Sequence, residues 1–253
     1  VRWDECGRTN SNYTIMIPIE EQIVNELLEN KDIKKAEFFP RFFKTAPGEY
    51  GHGDFFMGVT VPKQKKIANK YYKIVSENEI SNLLDNKYHE VRLTAIFLLV
   101  NQYQKIAKTD IDRSNLVKVY NSKMHRINNW DLVDSSADKI LGHYYFNHDR
   151  KFLHKLTKSN DLWENRIGVM STFYFIRQNQ FDDTIKMCER LLTHKHDLIH
   201  KATGWMLREI GNRDKKILLN FLNQHSMSMP RTMLRYAIEK LPETNRKFWL
   251  KKN

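Results

Sequence analysis

The chain has 253 residues, with 42 Lys and Arg against 30 Asp and Glu and a formal net charge of +12. Hydrophobic residues make up 41% and charged residues 28%, which excludes a disordered chain and leaves room for one large core or a repeat array. No apolar run approaches the roughly 20 residues that span a bilayer, and two cysteines without a pairing pattern, Cys6 and Cys188, argue against a disulfide framework. The expectation is a soluble protein of a reducing compartment, cytoplasmic or associated with the nucleus or nucleoid, and not secreted. The charge balance is the footprint of a nucleic-acid binder, though basic proteins also bind membranes and acidic partners.

Residues 1–17 lack a charged segment followed by a long apolar one, so they do not read as a signal peptide. The chain opens on Val1, and this tail is expected to be processed or non-native, apart from a domain over 18–253. From Pro18 onward the pattern is helix after helix, with one strand signal at Phe55 to Val61. Pro62 suits the first turn of a helix carrying Ile67, Tyr71 and Ile74 on one face. Ser76-Glu77-Asn78-Glu79 fits a capping box. Over 130–144, Val133, Ala137, Ile140, Leu141 and Tyr144 form one apolar arc at about 100° per residue. Phe181, Ile185, Cys188 and Leu192 mark an amphipathic helix, and Pro230 starts another that runs to about Leu241.

A loose repeat runs through these helices. Arg92, Arg166, Lys201 and Arg231 stand near the starts of successive apolar helices, at intervals of 74, 35 and 30 residues. The first interval is two periods of 37, with the helix at Asp131 between. Such periods predict an all-α solenoid of HEAT-like or armadillo-like helix pairs with a concave basic surface. An irregular helical bundle is the alternative. A cation in a first turn opposes the helix dipole, so four in register suggest a row that attracts phosphates. Ties between neighbouring repeats would use the same residues, and for Arg166 the phosphate role is favoured.

Trp130-Asp131-Leu132-Val133-Asp134 is the most informative segment. Residues four apart share a helix face, so Trp130 and Asp134 can line one site. On the wheel Trp130 falls near the apolar arc and Asp134 at its border, as a groove wall requires. The helix dipole would favour the ionised carboxylate there. The plainer alternative makes Trp130 core and Asp134 a solvated or capping acid. His194, His196 and His200 show no zinc spacing, and neither metal nor cofactor is expected. The Gly-rich segment 45–54 lacks the Lys-Ser/Thr of a phosphate loop and is expected to be an ordered connection.

At this point a family resemblance appears. Phe42-Phe43-Lys44-Thr45, Gly48-Glu49-Tyr50-Gly51, Gly53-Asp54-Phe55-Phe56-Met57-Gly58-Val59 and Val61-Pro62 resemble the N-terminal signature of AlkD-like DNA alkylation repair enzymes. So do Asn129 to Asp134, Leu162 to Arg166, Lys201 to Gly211 and Pro230 to Ala237, in the right order over about residues 20–245. The resemblance implies a HEAT-like repeat DNA N-glycosylase removing N3- or N7-alkylated purines from duplex DNA, with the lesion still in the stack. It places Trp130 and Trp205 on the family's paired aromatics, Asp134 on its catalytic carboxylate and Arg166 on its active-site arginine. Arg92, Lys201, Arg208, Arg231 and Arg235 are the expected DNA-binding residues, and a monomer is expected. Asn165 departs from relatives that carry a second basic residue before the arginine. Two other functions compete: a non-catalytic module for damaged DNA or structured RNA, and a scaffold for acidic proteins.

Overall fold

Two layers of helices stack along the chain, as the repeat predicts. The computed structural model describes residues 17–252. The expected tail therefore lies outside the described residues save for Ile17, and so does Cys6. One layer is a row: α3 (Val61–Tyr71), α5 (His89–Lys105), α7 (Trp130–Ser136), α10 (Leu162–Arg177), α12 (Asp197–Gly211) and α14 (Arg231–Ala237), each packed on the next. The second layer is α4 (Glu77–Leu84), α6 (Asp110–Ser122), α9 (Lys151–Leu156), α11 (Asp182–Arg190) and α13 (Lys215–His225). Helices α1 (Ile19–Glu29) and α2 (Ile33–Phe42) precede the array, a short α8 (His143–Phe146) follows α7, and α15 (Glu243–Lys252) ends it. All four cations of the sequence repeat fall in the first layer, on α5, α10, α12 and α14. The architecture is all-α and repeated.

Helices α5 and α10 lie between neighbours on several sides. Every residue from His89 to Val100 is buried, as is every residue from Asn165 to Thr172. A central position buries a helix on every face, so the polar residues within these stretches must find partners inside the protein. Backbones come close where α12 meets α14, because a Cβ on Gly204 would stand 2.5 Å from the Met233 carbonyl oxygen.

Local signals hold at several starts. Pro sits in the first turn of α3. Ser76 and Glu79 form the reciprocal capping box of α4. Other expectations need correction. Helix α3 stops at Tyr71, so Ile74 lies in the following turn and is 61% exposed. Phe181 is the residue before α11 rather than part of it. The helix after Pro230 ends at Ala237, short of Leu241, and α15 begins after Pro242.

The helix over 130–144 is interrupted by a π turn, Asp138–Gly142, in which the Gly142 N–H donates to the Ala137 carbonyl at 2.9 Å. One extra residue per turn shifts every later side chain on the wheel. Val133, Ala137, Ile140 and Leu141 remain fully buried, while Tyr144 emerges half-buried.

The strand signal at Phe55 to Val61 gives extended chain with a single bridge, Phe55 to Tyr88, rather than a strand. Its donors go to a carboxylate instead of a ladder. Glu90 accepts from the N–H groups of Met57 (3.1 Å), Gly58 (2.8 Å) and Val59 (3.3 Å). Burial raises the Glu90 pKa, and the N–H groups of Met57 and Gly58 oppose the rise. Replacing Glu90 by Ala would strand three buried N–H groups. We expect a loss of about 2–4 kcal/mol, read as a lowered denaturation midpoint. An unchanged midpoint would show that water replaces the carboxylate without cost.

Candidate active site

Helix α7 begins after Asn129, whose side chain accepts from the Trp130 N–H at 2.9 Å. One turn on, Asp134 shares a face with Trp130, and both line a single cleft of about 310 Å³. Arg166 from α10 and Trp205 from α12 line it too. The four residues singled out in the sequence thus converge, from three consecutive helices of the row. Phe42, Tyr50 and Tyr236 complete the aromatic wall, and Leu198 and Lys201 close the remaining side.

The central contact is bidentate. Arg166 donates from Nε to Asp134 Oδ1 at 3.0 Å and from Nη2 to Oδ2 at 2.8 Å. Its Nη1 donates to the Leu198 carbonyl at 2.6 Å, at the start of α12. Arg166 is therefore spent on the carboxylate and on the next repeat, where the sequence favoured a phosphate. The reason is burial: a guanidinium 4% exposed keeps its charge only beside an anion and acceptors. Burial pushes the Asp134 carboxyl above its ordinary pKa, and Arg166 opposes the rise. The dipole argument from sequence pointed downward, and desolvation overrides it. Asp134 is still 19% exposed on its side chain, so one edge faces the cleft.

Trp130 is braced by two phenylalanines. Its ring stacks on Phe43 at 5.8 Å and meets Phe42 edge-on at 5.9 Å. Trp205 packs against Phe173 at 5.9 Å, and its indole N–H donates to Glu209 at 3.2 Å. Indole rings held in this way offer π faces to a cation. Beside Trp130, Asp131 accepts from His89 Nε2 at 2.8 Å, while His89 Nδ1 meets Asp54 at 3.0 Å. This chain ties α7 to α5 and to the end of the 45–54 connection.

Other expected residues are distributed less evenly. Arg92 is fully buried and donates to Asp54 at 2.6 Å and to Asn128 at 3.1 Å. It cannot reach a phosphate, so its assignment to DNA is corrected: it is a tie between repeats. Arg208 pairs with Glu239 and lies away from the cleft. Asn165, where relatives carry a cation, is buried and donates to the carbonyls of Leu156, Ser159 and Asp161. Lys201, Arg231 and Arg235 do meet, in an adjoining cleft of about 620 Å³ that shares Lys201 and Tyr236 with the first and adds Arg246 from α15.

The histidines near α12 serve the backbone. His194 and His196 accept from the N–H groups of His196 and Leu198 at 3.0 and 3.1 Å. No group of three or more His, Cys, Asp or Glu suited to a metal occurs among the described residues. No helix among them is long and apolar enough to cross a membrane.

Comparison with known proteins fits this geometry. The profile of the DNA alkylation repair enzyme family matches residues 23–241. The chain belongs to that family. The matched span contains every side chain of the first cleft, and it stops before α15. A solved structure described as a predicted DNA alkylation repair enzyme from Enterococcus faecalis is similar in fold. The TM-score is 0.64 at 16% identity, covering 85% of this chain and 98% of that one. Curated proteins give no match. For a member of a DNA alkylation repair family, DNA is the implied partner.

Sequence reasoning missed Phe42, Tyr50 and Tyr236. Phe42 and Tyr236 lie within motifs that carry the resemblance, but no periodicity singles them out. Tyr50 likewise lies in a motif that carries the resemblance, Gly48 to Gly51, in a segment without periodicity.

Proposed function

We propose that this chain is a DNA N-glycosylase that hydrolyses the glycosidic bond of cationic N3- or N7-alkylated purines in duplex DNA. The observation that carries this reading is one carboxylate, clamped by an arginine between two indoles, at the edge of a cationic cleft. An alkylated purine already bears a positive charge and leaves readily, so no general acid is needed, in contrast to two-carboxylate glycosidases. As the bond breaks, positive charge moves to the deoxyribose. The exposed edge of Asp134 stabilises that charge and orients or deprotonates the attacking water. Arg166 holds both carboxylate oxygens and favours the ionised form. Trp130 and Trp205 pack on the sugar and the lesion. A lesion that stays in the stack requires no deep base pocket, unlike one that is flipped out.

The test is the appearance of alkali-labile abasic sites in an end-labelled, methylated duplex. Their formation supports the glycosylase. Binding without new abasic sites would favour the competing reading, a module that recognises damaged DNA or structured RNA.

Lys201, Arg231, Arg235 and Arg246 suit the phosphates flanking the lesion. Each phosphate contact contributes about −0.9 to the slope of log affinity against log salt. Arg235→Gln or Arg246→Gln should therefore reduce that slope by about 1 each, and Arg92→Lys should not change it. Equal slopes for the parent and both Gln variants would place the DNA path elsewhere.

A further inference from the structure

Trp130 is held in the cleft wall by a residue that does not line the cleft. His89, at the start of α5, is 1% exposed. Its Nδ1 meets Asp54 at 3.0 Å and its Nε2 meets Asp131 at 2.8 Å. Ionised carboxylates only accept, so both nitrogens donate and the imidazole is charged. The same ring lies against Phe43, 4.6 Å between centroids, and against Phe56 at 5.2 Å. Phe43 in turn stacks on Trp130 at 5.8 Å with 22° between the planes. Asp131 is the residue after Trp130. The imidazole thus reaches the indole by two routes, one through a ring and one through the backbone of α7.

We propose that His89 is the positioning residue for Trp130, and through that indole for the sugar of the lesion. The second half rests on reading the cleft as the lesion site. A charged imidazole against an aromatic ring adds an attraction that a neutral side chain lacks. Its bonds to Asp54 and Asp131 fix the first turn of α7 against α5. Trp130 has further supports, Phe42 edge-on at 5.9 Å and a hydrogen bond with Tyr50. Loss of His89 therefore displaces the indole without releasing it. A misplacement of about 1 Å near reacting atoms can cost about a hundredfold in rate, and a braced ring should lose about tenfold.

The experiment has two arms, each run on the full chain and on His89→Gln at pH 7. Single-turnover excision of 7-methylguanine at saturating enzyme reads the chemical step, and duplex affinity is measured beside it. Fluorine spectra of protein labelled with 5-fluorotryptophan read the indoles, with Trp130→Phe and Trp205→Phe assigning two of the lines. The expected result is a rate about tenfold lower at parental affinity. The Trp130 line should shift or broaden while the Trp205 line stays. Asp131→Asn cuts into the second route at a side chain more exposed than that of His89. It is read against the same outcomes, so a His89→Gln that fails to fold leaves the test standing. A Trp130 line that stays in place overturns the proposal, and so does a moved line at the parental rate. Movement of every indole line also overturns it, by making His89 a support of the whole fold. A parent that releases no base overturns the glycosylase reading, and the fluorine arm still decides the placement of Trp130.

Discussion

Replacing Asp134 by Asn is expected to slow excision of 7-methylguanine by at least about a hundredfold, in line with the loss of one preorganised electrostatic partner of a transition state. Affinity for duplex DNA should change little, because the cations proposed to meet the phosphates belong to α12, α14 and α15. The two readouts must separate for the assignment to stand. Excision at the parental rate by the variant would remove Asp134 from the chemistry. The same carboxylate predicts a pH dependence. Burial raises its pKa above the ordinary value of 3.8 against the pull of Arg166, and only the ionised form can steady a sugar cation. Activity should therefore decline as pH falls through that raised pKa, earlier than for a solvated aspartate, and Asp134→Asn should lack this acid limb.

A second large effect concerns stability and runs in the alkaline direction. His89 is buried between Asp131 and Asp54. Burial alone would push the imidazole down, but the two carboxylates outweigh it and lift the pKa from 6.5 to about 9. A cation whose folded pKa exceeds its unfolded one stabilises the fold fully below about pH 6.5, and that contribution is lost as pH rises through about 9. The shift is worth about 3 kcal/mol, or about 6–12 °C in melting temperature for a chain of this size. Melting temperature should thus fall between pH 7 and pH 9.5. His89→Gln should melt lower at pH 7 and vary less over the same window. A parent whose melting temperature is flat from pH 7 to 9.5 would mean that the imidazole is neutral there. Because His89 reaches α7 through Asp131, the same variant is expected to loosen Trp130.

The repeat was legible because its signal is local and recurrent. Arg92, Arg166, Lys201 and Arg231 mark helices that do form one layer. What each cation does was not legible, because the answer lies in residues far along the chain. Arg92 is claimed by Asp54, 38 residues away, and Arg166 by Asp134, 32 away. Sequence distance carries no charge pairing. The pairing of Trp130 with Asp134 survived because it spans a single turn and precedes the π turn at Asp138–Gly142, beyond which a uniform wheel drifts. Tyr50 stood in a motif that carries the resemblance, but its place on the cleft wall was not legible, for a different reason. A loop has no period, and Gly51, which shapes it, is meaningful only beside the Phe43 carbonyl. The downward pKa argument for Asp134 failed because helix dipoles are readable from sequence and burial is not.

Alkylation repair can in principle break either of two bonds: the one joining base to sugar, or the one joining alkyl group to base. Chromatography of products from a duplex carrying a single 7-methylguanine separates these directly. Free 7-methylguanine is expected in solution, with an abasic sugar left in an otherwise intact strand. Unmodified guanine retained in the strand, or an untouched lesion after prolonged incubation with bound protein, would contradict it.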